Sequence, residues 1–390
     1  HRILSQEKET NDTHTQKLIM VIFASSYLPK DSDKTVREYK YKGISDGITY
    51  KKFYTHFCDY LVQFCPKWLA PNVLTTLGFL CLLIPNIILW RNYTNNLTGY
   101  VPSWLCFTSA FGHFAYIILD NCDGKQARRT GSSSPLGMIF DHQCDAVGTG
   151  LIMLNLGTVC QFGFNWMGYS IWAVVMVSFF FHNIEEYFTG CLWIREFGSD
   201  EGNTLIVTVY TISGLFGCDI WLTPLYKDIP ANQILIVGFI IAAIIGSKDN
   251  ICEALEVGKI SILVFLYHSW SFAVVIGCLY HSLHKFDHIM PECGVAVLGI
   301  FSFLVAKIIL RIQIAHICRG PFPIYNVPSL TVIGLWMICI ERNIGNPYVV
   351  SNCFAILSFL MWFDCFYTTS NDFMRALNIK FWTIKNHSNQ

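Results

Sequence analysis

Apolar and polar positions divide this chain into a long series of membrane-length runs behind a polar leader. Ten apolar runs follow one another at residues 68–90, 102–120, 146–162, 167–182, 204–224, 231–247, 258–280, 293–313, 325–341 and 347–367. Each is close to the roughly 20 residues an α-helix needs to cross a bilayer. Residues 1–38 are polar, charged and without periodicity, a pattern expected of a disordered segment. Between them, residues 39–67 alternate at helical spacing, with Phe53, Tyr54, Phe57, Tyr60, Leu61 and Phe64 set among Lys51, Lys52 and Asp59. That spacing predicts an amphipathic helix, either lying on a membrane surface or packed briefly against the spans. The fold expected is all-α: a polytopic bundle of about ten transmembrane helices over 68–368, preceded by the interfacial helix and followed by a tail at 369–390.

Charge orients the series. With the N-terminus in the cytosol, the loops on the far side hold only Arg91, Lys227, Lys285 and Arg342. The cytosolic segments hold most of the other basic residues, including Lys125, Arg128, Arg129, Arg311, Arg319, Arg375, Lys380 and Lys385. The positive-inside rule then puts both ends in the cytosol, and an odd number of spans would break the pattern. The apolar stretch at Lys17–Ala24 is too short for a signal peptide, and none is expected. The sequons at Asn92 and Asn96 sit in a loop too close to the membrane for modification and read as chance. At 53% hydrophobic and 14% charged the chain is too apolar for an ordinary water-facing domain, and its zero formal charge gives no footprint for nucleic acid. The 16 cysteines are scattered through the apolar runs without a CxxC pair, so they read as small buried residues and not as a disulfide framework.

Against this background four carboxylates stand out between residues 120 and 145. Asp120 and Asp123 are three apart, and Asp141 and Asp145 four apart, each pair on one face of a helix. A Gly/Ser-rich turn from Thr130 to Ser134 and Pro135 joins the two faces, so all four can converge. Carboxylates at membrane depth are costly unless paired, hydrated or bound to cations. Hard oxygen donors in this number suit Mg²⁺, Mn²⁺ or Ca²⁺.

The words Asp120-x-x-Asp123-Gly124-x-x-Ala127-Arg128 and, eight residues on, Gly137-x-x-x-Asp141-x-x-x-Asp145 resemble the signature of the CDP-alcohol phosphotransferases at every fixed position. The neighbouring Asp-Gly-Lys-Gln-Ala-Arg-Arg-Thr, Pro-Leu-Gly-x-x-Phe-Asp-His and Trp68-Leu-Ala-Pro-Asn72-x-x-Thr75 resemble the eukaryotic choline/ethanolamine branch, nearer to the ethanolaminephosphotransferases. The resemblance implies a transfer of phosphoethanolamine from CDP-ethanolamine to diacylglycerol, releasing CMP, with CDP-choline as the alternative donor. It implies Asp120, Asp123, Asp141 and Asp145 as ligands of two Mg²⁺ or Mn²⁺ ions. Arg128 would meet the phosphates with a planar donor set. Gly124 and Ala127 would leave room for the cytidine or for a neighbouring helix, and Asn72 would contact the nucleotide. The base that takes the acceptor's proton is Asp145 in the wider family. Here His142, on a similar face and with a pKa suited to neutral pH, is the expected base, and merely orienting Asp141 is its other reading. His182, Glu185, Glu186 and Tyr187 follow the fourth run on the cytosolic side, where a carboxylate and an aromatic can meet the alcohol's ammonium or simply close a solvated loop. His113 reads as a packed residue, and a metal site among His268, His281, His284 and His288 carries little weight. The resemblance further implies a homodimer in the endoplasmic reticulum or Golgi membrane with its site facing the cytosol. Three rival readings are an intramembrane prenyltransferase, which needs a second aspartate motif where only Asp219 and Asp364 stand, a transporter with charges along a path, and a silent scaffold.

Overall fold

The computed structural model describes residues 26–384 apart from 95, 197 and 325. A short helix α1 (Asp33–Glu38) is followed by strand β1 (Gly43–Ser45), a wide helical turn (Tyr50–Tyr54), helix α2 (Thr55–Leu61) and a tight turn (Val62–Phe64). Ten longer helices follow: α3 (Pro71–Asn92), α4 (Ser103–Thr130), α5 (Pro135–Val159), α6 (Trp166–Thr189), α7 (Ser199–Phe216), α8 (Ala231–Glu256), α9 (Ile262–Lys285), α10 (Met290–Ile317), α11 (Val327–Glu341) and α12 (Pro347–Leu377). Strand β2 (Leu192–Ile194) lies parallel to β1, with Ile44 opposite Trp193, and β3 (Pro224–Tyr226) pairs antiparallel with β4 (Ile229–Pro230).

Each apolar run falls on one of the helices α3–α12. Six of these, α3, α6, α8, α9, α10 and α12, are long and apolar enough to cross a membrane. Helix α11 is apolar but shorter at 15 residues. Helices α4 and α5 carry the aspartates, and α7 opens with Asp200 and Glu201. Local signals set the ends: Pro71, Pro135 and Pro347 start their helices, where a missing N–H costs nothing. Ser134 Oγ accepts from the Gly137 N–H at 3.1 Å, and Gly131 and Gly190 close α4 and α6 in the left-handed region.

Helix α10 is the axis of the bundle: it packs along α12, α5 and α6 and is buried along most of its length. A helix enclosed on all sides has no water-facing side to keep, which fits its long apolar stretch between Glu292 and Lys307. A second tight pair brings α3 against α4. Pro85 has no N–H to offer the Cys81 carbonyl four residues earlier, and Gly112 of α4 lies against that oxygen; a Cβ there would sit 2.4 Å from it. The same two helices carry Asn72, Thr75, Asp120 and Asp123.

Two expectations change at the ends of the chain. Residues 33–38, placed in a disordered leader, form α1, because Val36 is fully buried beside α10 and α12 and Arg37 Nε donates to the Ala376 carbonyl at 2.8 Å. Residues 1–25 of that leader lie outside the described residues. The tail drawn from 369 begins later, since α12 continues to Leu377 with Thr369 and Phe373 buried. Beyond Asn378 the chain turns back and sets Phe381 against Phe140 with ring centroids 4.9 Å apart, and residues 385–390 lie outside the description. The amphipathic segment forms a helix over 50–64 that buries Tyr54, Cys58 and Val62 against the bundle and exposes Phe53, Tyr60 and Phe64.

Candidate active site

The turn between α4 and α5 returns the chain on itself, and the two aspartate pairs meet there. One oxygen from each of Asp120, Asp141 and Asp145 lies within 4.8 Å of the others. Asp123, one helical turn after Asp120, stands outside that group and accepts a short hydrogen bond from Thr75 Oγ1 of α3. Tyr116, one turn before Asp120, donates its hydroxyl to Asp145 Oδ1. Asp141 Oδ1 is buried and has no partner. Three carboxylates this close repel unless a cation lies among them, and hard divalent ions fit such a donor set. Among the described residues no second group of acidic, His or Cys side chains has metal-binding spacing. Asp364 accepts instead from Tyr27 Oη at 2.7 Å.

His142 is buried, and its surroundings fix its tautomer. Trp362 Nε1–H, which can only donate, gives its proton to Gln143 Oε1 at 2.9 Å. The Gln143 amide nitrogen must then donate to Gln313 Oε1, at 3.0 Å. At the other end Asn183 Nδ2 donates to the Phe179 carbonyl at 2.8 Å, which turns Asn183 Oδ1 toward Gln313 Nε2 at 2.9 Å. Both ends therefore require the Gln313 amide nitrogen to face His142 Nδ1, 3.2 Å away. Nδ1 accepts, and a neutral ring carries its proton on Nε2. His142 makes no bond to Asp141 in this arrangement.

The remaining sequence candidates divide. Arg128 is exposed at the end of α4, its guanidinium lying over Gly124, and has no bonded acceptor among the described residues. Arg129 beside it is fastened to the carbonyls of Val62, Gln63 and Cys65. Ala127 is partly buried on the same turn. Asn72, at the start of α3, is buried next to Gly137 and donates to the Phe381 carbonyl at 2.9 Å, so the returning C-terminal segment meets the residue expected at the nucleotide. At the end of α6, His182 pairs with the Ser178 carbonyl, Tyr187 with the Gly320 carbonyl, and Glu185 with Arg195 at 2.9 Å. Glu186 is left with His316 Nε2 at 3.8 Å. His113 is a packed residue bonded to Asn203 at 3.1 Å.

Several contributors escaped the sequence reading. Tyr116 was accessible, since it lies four residues before Asp120 on one helix face. Gln313 and Trp362 come from distant segments, and no spacing rule links them to the aspartates.

Comparison with known proteins agrees with this geometry. A family model described as CDP-alcohol phosphatidyltransferase matches residues 68–275. The chain is 35% identical to cholinephosphotransferase 1 of Danio rerio over 82% of its length and 76% of that protein. It is 30% identical to choline/ethanolaminephosphotransferase 2 of Arabidopsis thaliana over 76% of its length and 80% of that protein. It is 25% identical to an uncharacterized CDP-alcohol phosphatidyltransferase class-I family protein 1 of Dictyostelium discoideum over 93% of its length and 97% of that protein. With its signature aspartates gathered at one end of a helical membrane bundle, the chain belongs to the CDP-alcohol phosphatidyltransferase family.

Proposed function

We propose that this protein transfers phosphoethanolamine from CDP-ethanolamine to the free hydroxyl of diacylglycerol, forming phosphatidylethanolamine and CMP. The observation that carries the reading is the convergence of Asp120, Asp141 and Asp145 beside Asp123 and the unpaired Arg128. The acceptor oxygen attacks the β-phosphorus, the bond from that phosphorus to the bridging oxygen breaks, and CMP leaves with the electron pair. Two Mg²⁺ or Mn²⁺ ions held by Asp120, Asp123, Asp141 and Asp145 would neutralise the charge on the diphosphate. Arg128 reaches the same phosphates with its planar fork. Asp145 Oδ1 is engaged by Tyr116, so Oδ2 is the oxygen that takes the acceptor's proton. His142 enters as a donor from Nε2–H that holds the acceptor oxygen, because its Nδ1 lone pair is committed to Gln313. This role differs from that of the base expected from the sequence. Asn72 meets the nucleotide, and Gly124 and Ala127 leave room for the cytidine.

In this reading all ten helices α3–α12 cross the bilayer, the helix over 50–64 rests its exposed aromatics in the interface, and the site opens to the cytosol of an endoplasmic reticulum or Golgi membrane. The protein works as a homodimer. Diacylglycerol arrives sideways from the bilayer, while the charged donor arrives from water. A transfer assay in lipid micelles with diacylglycerol, Mg²⁺ or Mn²⁺, and CDP-ethanolamine or CDP-choline tests it, with Asp141→Ala as the blank. Product that depends on metal and on Asp141 is the expected result, with CDP-ethanolamine the better donor. Equal product from CDP-choline would overturn the head-group choice, and no product from either would overturn the reaction.

A further inference from the structure

Beyond the aspartates lies a buried group of polar atoms that the transfer step does not use. Glu186 Oε1 and Tyr39 Oη are enclosed and have no hydrogen-bond partner. Buried oxygens are nearly always paired, and a buried carboxylate without a cation is costly, so two such atoms together indicate a guest. Glu186 is 2% exposed, and Arg195 is taken by its neighbour Glu185. The His316 imidazole, 3.8 Å from Glu186, is beyond hydrogen-bond length and meets the Tyr39 ring edge-on at 5.6 Å. Tyr41 closes the side toward the aspartates, its ring 6.1 Å from that of His142. Burial and the neighbouring Glu186 push the Tyr39 phenol well above its ordinary range. The Tyr41 phenol is pushed up in the same way by burial, Glu186 and Asp141. Both rings therefore stay neutral.

We propose that Glu186, Tyr39 and Tyr41 form the subsite for a primary ammonium, that of the amino alcohol carried by the CDP donor. The assignment rests on the phosphoaminoalcohol reading above and adds to it the residues that choose the head group. In such a donor two carbons separate the phosphoester oxygen from the nitrogen, so the ammonium falls within one side-chain length of the diphosphate. Glu186 Oε1 supplies the opposite charge and accepts one N–H, Tyr39 Oη accepts a second, and the half-exposed Tyr41 ring covers the cation from the solvent side. A trimethylated ammonium donates no hydrogen bond and would leave both oxygens buried and unpaired, and a site built to receive N–H groups rejects such an analogue.

The test measures kcat and KM of the full-length protein in nanodiscs for CDP-ethanolamine and CDP-n-propanol, in which a methyl replaces the ammonium. Wild type is expected to prefer CDP-ethanolamine, and Glu186→Gln to shrink the ratio of kcat/KM for the two donors about 10- to 100-fold, mainly through KM. Tyr39→Phe, which keeps the ring, is expected to shrink the same ratio by a smaller factor. Equal loss with both donors in the two variants would mean a structural role and overturn the subsite, as would an unchanged ratio in a folded Tyr39→Phe protein. An inactive wild type with every CDP-alcohol would overturn the transfer reading, and the subsite with it.

Discussion

Gln313 offers a test of the roles assigned to His142 and Asp145 without touching a carboxylate or the donor. In the native arrangement one neutral hydrogen bond at 3.2 Å keeps a lone pair on Nδ1 and the proton on Nε2, a preference worth about 1 kcal/mol. Gln313→Glu conserves the shape of the side chain and still accepts from Gln143, but it presents an oxygen to Nδ1. A charge-assisted bond to a carboxylate favours Nδ1–H by about 1.5–3 kcal/mol. The swing is therefore about 2–4 kcal/mol, and at about 1.4 kcal/mol per factor of ten the ring with Nε2–H becomes rarer by roughly 30- to several-hundred-fold. Part of that is restored if the ring ionises against the new carboxylate, so turnover is expected to fall by about ten- to a hundredfold. The assay is kcat for CDP-ethanolamine with diacylglycerol and metal both saturating, beside a thermal melt to establish that the variant is folded. Asn183 must turn its amide to meet the new oxygen, and the Asn183→Ala, Gln313→Glu double variant removes that conflict. A folded Gln313→Glu protein with turnover at or above wild type would refute the reasoning, since freeing Nε2 would then have produced a better base.

Two further perturbations probe how the bundle holds the site. Thr75→Val is isosteric but removes the hydroxyl that reaches Asp123, a charge-assisted bond worth about 1.5–3 kcal/mol, so kcat/KM should fall about tenfold or more at fixed Mg²⁺. Wild-type kinetics in that variant would show that Asp123 needs no support from α3. Gly112→Ala drives a Cβ to 2.4 Å from the Cys81 carbonyl, a backbone atom that no side-chain rotation relieves. Overpacking of this kind costs about 1–3 kcal/mol, and because α3 and α4 carry Thr75 and Asp123 the variant should lose both thermal stability and activity. An unchanged melting temperature would mean that the two helices separate freely at this level.

What the sequence determined was local or periodic. Apolar runs placed ten helices, six of them long and apolar enough to cross a membrane, because a helix that lies in lipid needs a long apolar surface that is visible in one dimension. Spacings of three and four put Asp120 with Asp123 and Asp141 with Asp145 on common faces, and the Gly/Ser turn with Pro135 brought the pairs together. These relations span a few turns of chain, so the 3.6-residue repeat is enough to read them. Tertiary structure decided the rest. It set the Thr75 hydroxyl of α3 against Asp123, a partner that no spacing along the chain links to the aspartates. It carried α1 and the residues beyond Asn378 onto the bundle, since a short polar segment reveals nothing of the groove that receives Val36 or Phe381. Above all it set the Gln313 amide nitrogen against His142 Nδ1, through Gln143 on its own helix, Asn183 on α6, Gln313 on α10 and Trp362 on α12, and this contact supports the donor role proposed for the ring. A hydrogen bond's direction depends on which groups the folded chain sets face to face, and no spacing along the sequence encodes that.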